Sequence, residues 1–332
     1  MNTTLQEGTD RQGYYRLIAL WAICEAWAGG LMHGARIPFT GLLVSGMAVT
    51  CIILIAYHRP EPAGILRATI LVAFFKLMLS PHSPPTAYIA VFFQGMLGQL
   101  LFRNRKYFLA KAIILGVLAL VESAGQRILV LWVLFGNSFW DAVNQFIQKL
   151  TGDKDMTDYS KMIALVYIAI HAIAGLLIGI YASRLASRVD GWKKEYGHHF
   201  QEPGPAEDET AVPRKKRKGI MKVIFLLIWS ILALALIFPN SFFLPSTDAA
   251  FILLRSIVLL GAWFFVVKPL CMIAFRKWMN KKGVKYRQDI EQIRLWLPRT
   301  RQVFLHSWRI SGSQEGIARV RLFSKMLIAG IL

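Results

Sequence analysis

The residues able to do chemistry are few, and most sit among apolar neighbours. His33 and Arg36 lie in a tight turn, HGAR, that follows an apolar run, and His82 lies in the short connection SPHSPP. Lys76, Gln94, Glu122, Gln126, Arg127 and His171 fall within other apolar runs. Ionisable and amide groups are costly to place in lipid, so inside a membrane they face a cavity or a partner. Glu122 and Gln126 are one helical turn apart with Arg127 beside that face, so one helix would present an acceptor, an amide and a cation together. These nine residues form the candidate substrate-binding set. Its cations (Arg36, Lys76, Arg127) outnumber its anion (Glu122), which favours an anionic or carboxylate-bearing ligand. The alternative is that the groups satisfy one another as buried contacts, or that Arg36 and Lys76 snorkel to an interface.

Other chemistries find less support. Glu122, His33, His82 and His171 could act as acids and bases in a membrane-embedded enzyme. Against that, the chain has no Walker motif, no GxGxxG after a strand, and no HExxH, GxSxG or paired CxxC. Neither a nucleotide site nor a hydrolytic centre is therefore marked. Cys24, Cys51 and Cys271 all lie in apolar runs without metal-like spacing, so neither a zinc site nor a disulfide framework is expected. The sequence thus predicts a protein that is not an enzyme, with no catalytic residue, no metal and no cofactor.

The elements that must position these residues are membrane helices. Hydrophobic residues make up 55 % of the 332, and mean hydropathy is +0.44. Apolar runs near the length of about 20 residues that a bilayer requires recur along the chain. The expected fold class is all-α and polytopic, with eight spans at 14–34, 37–57, 64–80, 86–102, 108–135, 161–186, 220–239 and 250–275. The polar start MNTTLQEGTDRQ does not read as a cleavable signal peptide. The net charge of +20 would point to nucleic acid in a soluble protein. Here Arg59, Arg103, Arg105, Lys106, Arg184, Arg188 and the run RKKRK at 214–218 all flank predicted spans, so they orient the chain and no nucleic-acid partner is expected. SPHSPP, the mixed segment 136–160 and PNSFFLPSTD at 239–248 fall on the opposite side. That asymmetry places both termini in the cytoplasm.

Four regions follow. Residues 1–189 form a six-helix substrate-binding domain, and 190–218 form a flexible, polar cytoplasmic linker. Residues 219–280 form a two-helix membrane unit, and 281–332 form a basic amphipathic cytoplasmic tail. In that tail Ile290, Ile293, Leu295, Leu297, Val303, Phe304 and Trp308 alternate with Arg294, Arg299, Arg301 and Arg309. Such a stretch would lie along the cytoplasmic membrane face, against anionic lipid. In the first span Ala22, Ala26, Gly30 and Gly34 recur every fourth residue. They line one flat stripe suited to helix docking.

This small-residue stripe, the turn HGARIPFTGLLVSG and the segment SPHSPPTAYIAVFFQGMLGQLLF make residues 10–190 resemble the substrate-binding S components of energy-coupling factor vitamin transporters. The resemblance implies that a micronutrient is captured at the outer side. It also implies that Ala22, Ala26 and Gly30 dock on a transmembrane T component. The tail resembles the coupling helices of T components, which engage ATPase grooves through an Ala-Arg-small motif. Arg299, Arg301 and Arg319 would then contact ATPase, although Ala318-Arg319-Val320 departs from the motif by its valine. The expectation is a protein of the bacterial cytoplasmic membrane that captures a small, water-soluble, vitamin-like nutrient for uptake driven by a separate ABC-type ATPase. A non-catalytic scaffold that recruits cytosolic partners is the alternative of another class.

Overall fold

The computed structural model describes residues 2–28, 39–58, 63–80, 83–104, 106–152, 158–200, 229–230, 232, 249–271, 273–274, 277 and 284–332, and every regular element among them is a helix. α1 (Asn2–Ile23) continues into a π-helical turn (Cys24–Ala28). It is followed by α2 (Thr40–His58), α3 (Gly64–Leu79), α4 (Pro85–Leu101) and α5 (Phe108–Phe135). α6 (Asn137–Thr151), α7 (Tyr159–Ala186) and the short α8 (Val189–Tyr196) come next. Last are α9 (Ala249–Gly261), α10 (Val284–Ser311) and α11 (Gly316–Ile331).

Local chemistry explains most of the boundaries. Pro85 opens α4 at a position where its missing N–H costs nothing. Gly136 (φ 65°) separates α5 from α6, and Gly152 (φ 69°) ends α6 by donating its N–H to the Gln148 carbonyl at 3.0 Å. Asp158 caps α7: its carboxylate accepts from the Ser160 hydroxyl at 2.8 Å and the Lys161 N–H at 3.3 Å.

Four stretches are long and apolar enough to cross a bilayer: Thr40–His58, Phe108–Phe135, Tyr159–Ala186 and Leu253–Cys271. They mark an integral, all-α membrane protein and match the second, fifth, sixth and eighth predicted spans. α3 and α4 have 16 and 17 residues. At about 1.5 Å per residue each is about 25 Å long, short of a hydrocarbon core of about 30 Å. The predicted span 220–239 lies almost wholly outside the described residues, as does 29–34 of the first.

The chain divides into two compact units. The first comprises Met1–Gln126, Ala164–Ala206 and Arg287–Leu332, and the second Arg127–Ile163 and Glu207–Tyr286. In the first unit α1 packs on α2 and α3, and α3 on α4, around the fully buried Leu17, Ile18, Trp21, Ile52 and Leu71. α5 and α7 meet backbone to backbone: a Cβ on Gly175 would lie 2.4 Å from the Gly116 carbonyl oxygen, and one on Gly179 2.6 Å from that of Ala112. Lipid is as apolar as a protein core, so such close approaches and polar contacts, rather than apolar burial, hold membrane helices together. In the second unit the Trp229 indole donates to the Val258 carbonyl at 3.0 Å and packs with Leu254.

The domain boundaries differ from the predicted ones in two places. The linker predicted at 190–218 is helical at its start, because Trp192 and Tyr196 of α8 each face Lys325 of α11 and Lys193 donates to the Leu332 carbonyl at 2.7 Å. Residues 201–218 lie outside the described residues. The tail predicted at 281–332 is not separate either. Asp289 of α10 accepts from the Tyr15 hydroxyl at 2.7 Å and from Arg67 Nε at 2.6 Å, and the Arg16 guanidinium lies 4.1 Å from the Trp296 ring. Residues 287–332 therefore belong to the unit that holds α1 to α4.

Candidate functional site

Two polar assemblies lie within the first unit. One is an ion pair on the π-helical turn that ends α1. Glu25 on this turn meets Lys76 Nζ of α3 at 2.5 Å, and both side chains are only 4 % exposed. The same ammonium donates to the Ala87 carbonyl of α4 at 3.1 Å and lies over the Tyr88 ring. One cation thus ties three helices together. Because Glu25 neutralises it, Lys76 contributes no net positive charge to a binding site.

The other assembly gathers at the Thr40 end of α2. Phe39 precedes that helix in the left-handed region (φ 60°), a conformation that costs a bulky residue on the order of 1–3 kcal/mol. Its ring lies against Tyr167 and His171 of α7, with centroids 6.1 and 6.3 Å away. Gly41 approaches α5 so closely that a Cβ would sit 2.7 Å from the Ser123 hydroxyl. One turn further on, Ser45 accepts from the Gln94 amide of α4 at 3.1 Å. From Phe39 to Ser45 the helix rises about 9 Å. Within that height α4, α5 and α7 all meet α2.

The polar atoms these helices bring are incompletely used. Gln94 Oε1, Glu122 Oε2 and His171 Nε2 are buried and have no hydrogen-bond partner. Glu122 accepts from the Gln126 amide through its other oxygen. His171 Nδ1 contacts the Tyr167 carbonyl at 2.9 Å. A carbonyl oxygen only accepts, so Nδ1 carries a proton, and in the tautomer protonated at Nδ1 alone Nε2 is an acceptor. With Glu122 ionised and His171 in that tautomer all three unused atoms accept, and buried polar atoms normally have partners. Each such atom is chemically suited to accept from an N–H or O–H group.

The remaining predicted residues are distributed as follows. His33, Arg36, His82 and Gly30 lie outside the described residues. Gln126 is bound to Glu122, and Arg127 is exposed. Ala22 and Ala26 are buried inside the first unit, so this part of the stripe is taken up by the protein's own helices and presents no open docking face. Arg299 and Arg319 stack on Trp296 and Trp308 at 5.0 and 4.3 Å, while Arg301 is exposed. A surface groove of about 400 Å³ runs along α11, lined by Gln314, Ile317, Ala318, Arg321, Leu322 and Lys325. It is unrelated to the acceptor cluster. Among the described residues no three His, Cys, Asp or Glu side chains come together as a metal site.

Sequence reasoning passed over Ser45, Phe39 and the α5–α7 contact. The spacing of Gly175 and Gly179, a GxxxG in an apolar run, was the signal for that contact. Compared with known proteins, the chain matches no family model, no curated protein and no solved structure.

Proposed function

We propose that this integral membrane protein binds a small, water-soluble, vitamin-like nutrient at the Thr40 end of α2 for uptake driven by a separate ABC-type ATPase. The observation that carries the reading is the trio of buried acceptors, Gln94 Oε1, Glu122 Oε2 and His171 Nε2, left without protein partners. An unsatisfied buried acceptor costs about 1–3 kcal/mol, and a ligand that donates to it removes that cost. The acceptors favour a ligand rich in N–H or O–H groups. The preference for an anion rests on Arg36 alone, since Lys76 is neutralised by Glu25 and Arg127 is exposed.

On this reading the chain lies in a bacterial cytoplasmic membrane with both termini inside, and the Thr40 end of α2 faces outward. The likeness to S components supports the same role. An ATPase contact falls on the α11 groove, where the exposed Arg321, rather than Arg319 or Lys325 with their aromatic partners, offers charge to an acidic partner.

The test is native mass spectrometry of the gently solubilised full chain, followed by affinity measurements on Gln94→Leu, Glu122→Gln and His171→Phe. A retained donor-bearing nutrient is expected, and each variant should weaken its binding about tenfold, the worth of one hydrogen bond. Retention of the same molecule with unchanged affinity in all three variants would overturn the site. A preparation with no small molecule, and no stabilisation by a panel of nutrients, would overturn the function.

A further inference from the structure

Helix α6 is the least expected element of the fold. It leaves α5 after the single residue Gly136 and is tied to the start of α7 by Asn144, whose side-chain oxygen accepts from the Ser160 N–H at 2.7 Å. Both flanking helices are long and apolar enough to span a bilayer, so α6 begins and ends at a membrane boundary. At 15 residues it is about 22 Å long, too short to cross.

Its residues divide by face. At helical spacing Phe139, Val143, Phe146, Ile147 and Leu150 fall on one arc, while Asp141, Asn144, Gln145 and Gln148 fall on the other. None of the residues of α6 is buried. Phe146 and Leu150 of the apolar arc are 64 % and 71 % exposed. Asn144 points from the opposite side to its bonds with α7, so the apolar arc faces away from that contact. Exposed apolar side chains continue beyond α6 at Trp132 near the end of α5 and at Met162 in the first turn of α7. The uncovered surface is therefore continuous with spans that face lipid.

We propose that α6 lies flat in the membrane interface, with Phe139, Phe146 and Leu150 inserted among the upper acyl chains and its polar arc among headgroups. Asp141 and Lys149 cancel in charge, so the partner is the interfacial layer of any bilayer and not a specifically anionic lipid. Aromatic side chains suit this depth. The inference stands apart from the proposed nutrient site, because it uses no residue of that site.

The experiment places a photoreactive benzophenone analogue of phenylalanine in the full chain, at Phe146 or at Gln145 on the opposite arc. The proteins are reconstituted in nanodiscs of zwitterionic lipid, and adducts are read by mass spectrometry. Lipid adducts at 146 should exceed those at 145 by about tenfold or more, and should persist in high salt, as apolar insertion requires. A covalent dimer at 146, an adduct within the chain, or equal lipid yields at the two positions would overturn the proposal. Leu150 against Gln148 repeats the comparison at the other end of the helix, so failure of one pair to express leaves the other to decide.

Discussion

Replacing Lys76 with Met should destabilise the protein far more than the intact Glu25–Lys76 pair stabilises it. At 2.5 Å the two charges attract by about 7 kcal/mol at an effective dielectric of about 20. Taking two ions out of water costs several kcal/mol each, so the net worth of the intact pair is small. Lys76→Met removes the attraction and leaves the Glu25 carboxylate buried without its cation, a loss of about 3–5 kcal/mol. Adding Glu25→Leu removes the stranded charge, and the double variant should return to within about 2 kcal/mol of the parent. Glu25→Leu alone strands the Lys76 ammonium and should cost a similar amount, about 3–5 kcal/mol, so the coupling in the cycle is at least about 4 kcal/mol. In a mild detergent, the thermal midpoint should fall on the order of 10 °C for the single variant and mostly recover in the double. A single variant within about 2 °C of the parent, or a double variant as unstable as the sum of the two singles, would refute the reasoning.

Three further outcomes follow from the structure. Gly175→Ala forces the α5 and α7 backbones apart and should cost about 1–3 kcal/mol, whereas Gly125→Ala, with open space around it, should be neutral or stabilise by about 0.5–1 kcal/mol. Equal thermal midpoints for these two variants would count against the close crossing. Asp289→Ala removes the acceptor shared by Tyr15 and Arg67, so α10 should loosen, and limited trypsin digestion at Arg294 should quicken; unchanged cleavage would show that Asp289 does not hold it. The Lys161 ammonium and the Ser160 hydroxyl hold the Asp158 carboxyl well below the usual carboxylate range. A lowered folded pKa gives stability that is present above the unfolded value and is lost as pH falls through the folded one. Protection of the Lys161 amide from exchange should therefore persist from about pH 7 to about pH 4 and fail only in stronger acid, whereas loss centred near pH 4 would contradict the cap.

Much of the helical plan was legible in the chain, because spans as apolar as 40–58, 108–135 and 159–186 can satisfy their backbone in lipid only as helices. α6 was not. It lies in a segment read as a mixed loop, although its apolar residues recur at helical spacing between two glycines with positive φ. The polar set was half legible. Gln94, Glu122 and His171 are out of place in apolar runs, and each keeps a buried polar atom without a hydrogen-bond partner. Lys76 is equally out of place in an apolar run but is consumed by Glu25, 51 residues earlier, which no local spacing could reveal. The small-residue stripe of α1 showed that a helix would approach closely, but not which one, and Ala22 and Ala26 are covered from within.

By itself the sequence determined the class of molecule, an all-α membrane protein, because the cost of leaving peptide groups unbonded in lipid acts residue by residue along the chain. It also determined which side chains would be expensive to bury. Only the tertiary structure decided which of those costs are met inside the protein: Glu25 with Lys76, Asp289 with Tyr15 and Arg67, and α10 and α11 with the first unit rather than with the helices that precede them. Such pairings depend on approach within about 3 Å between residues up to 274 apart in the chain, and that distance is set by how whole helices pack.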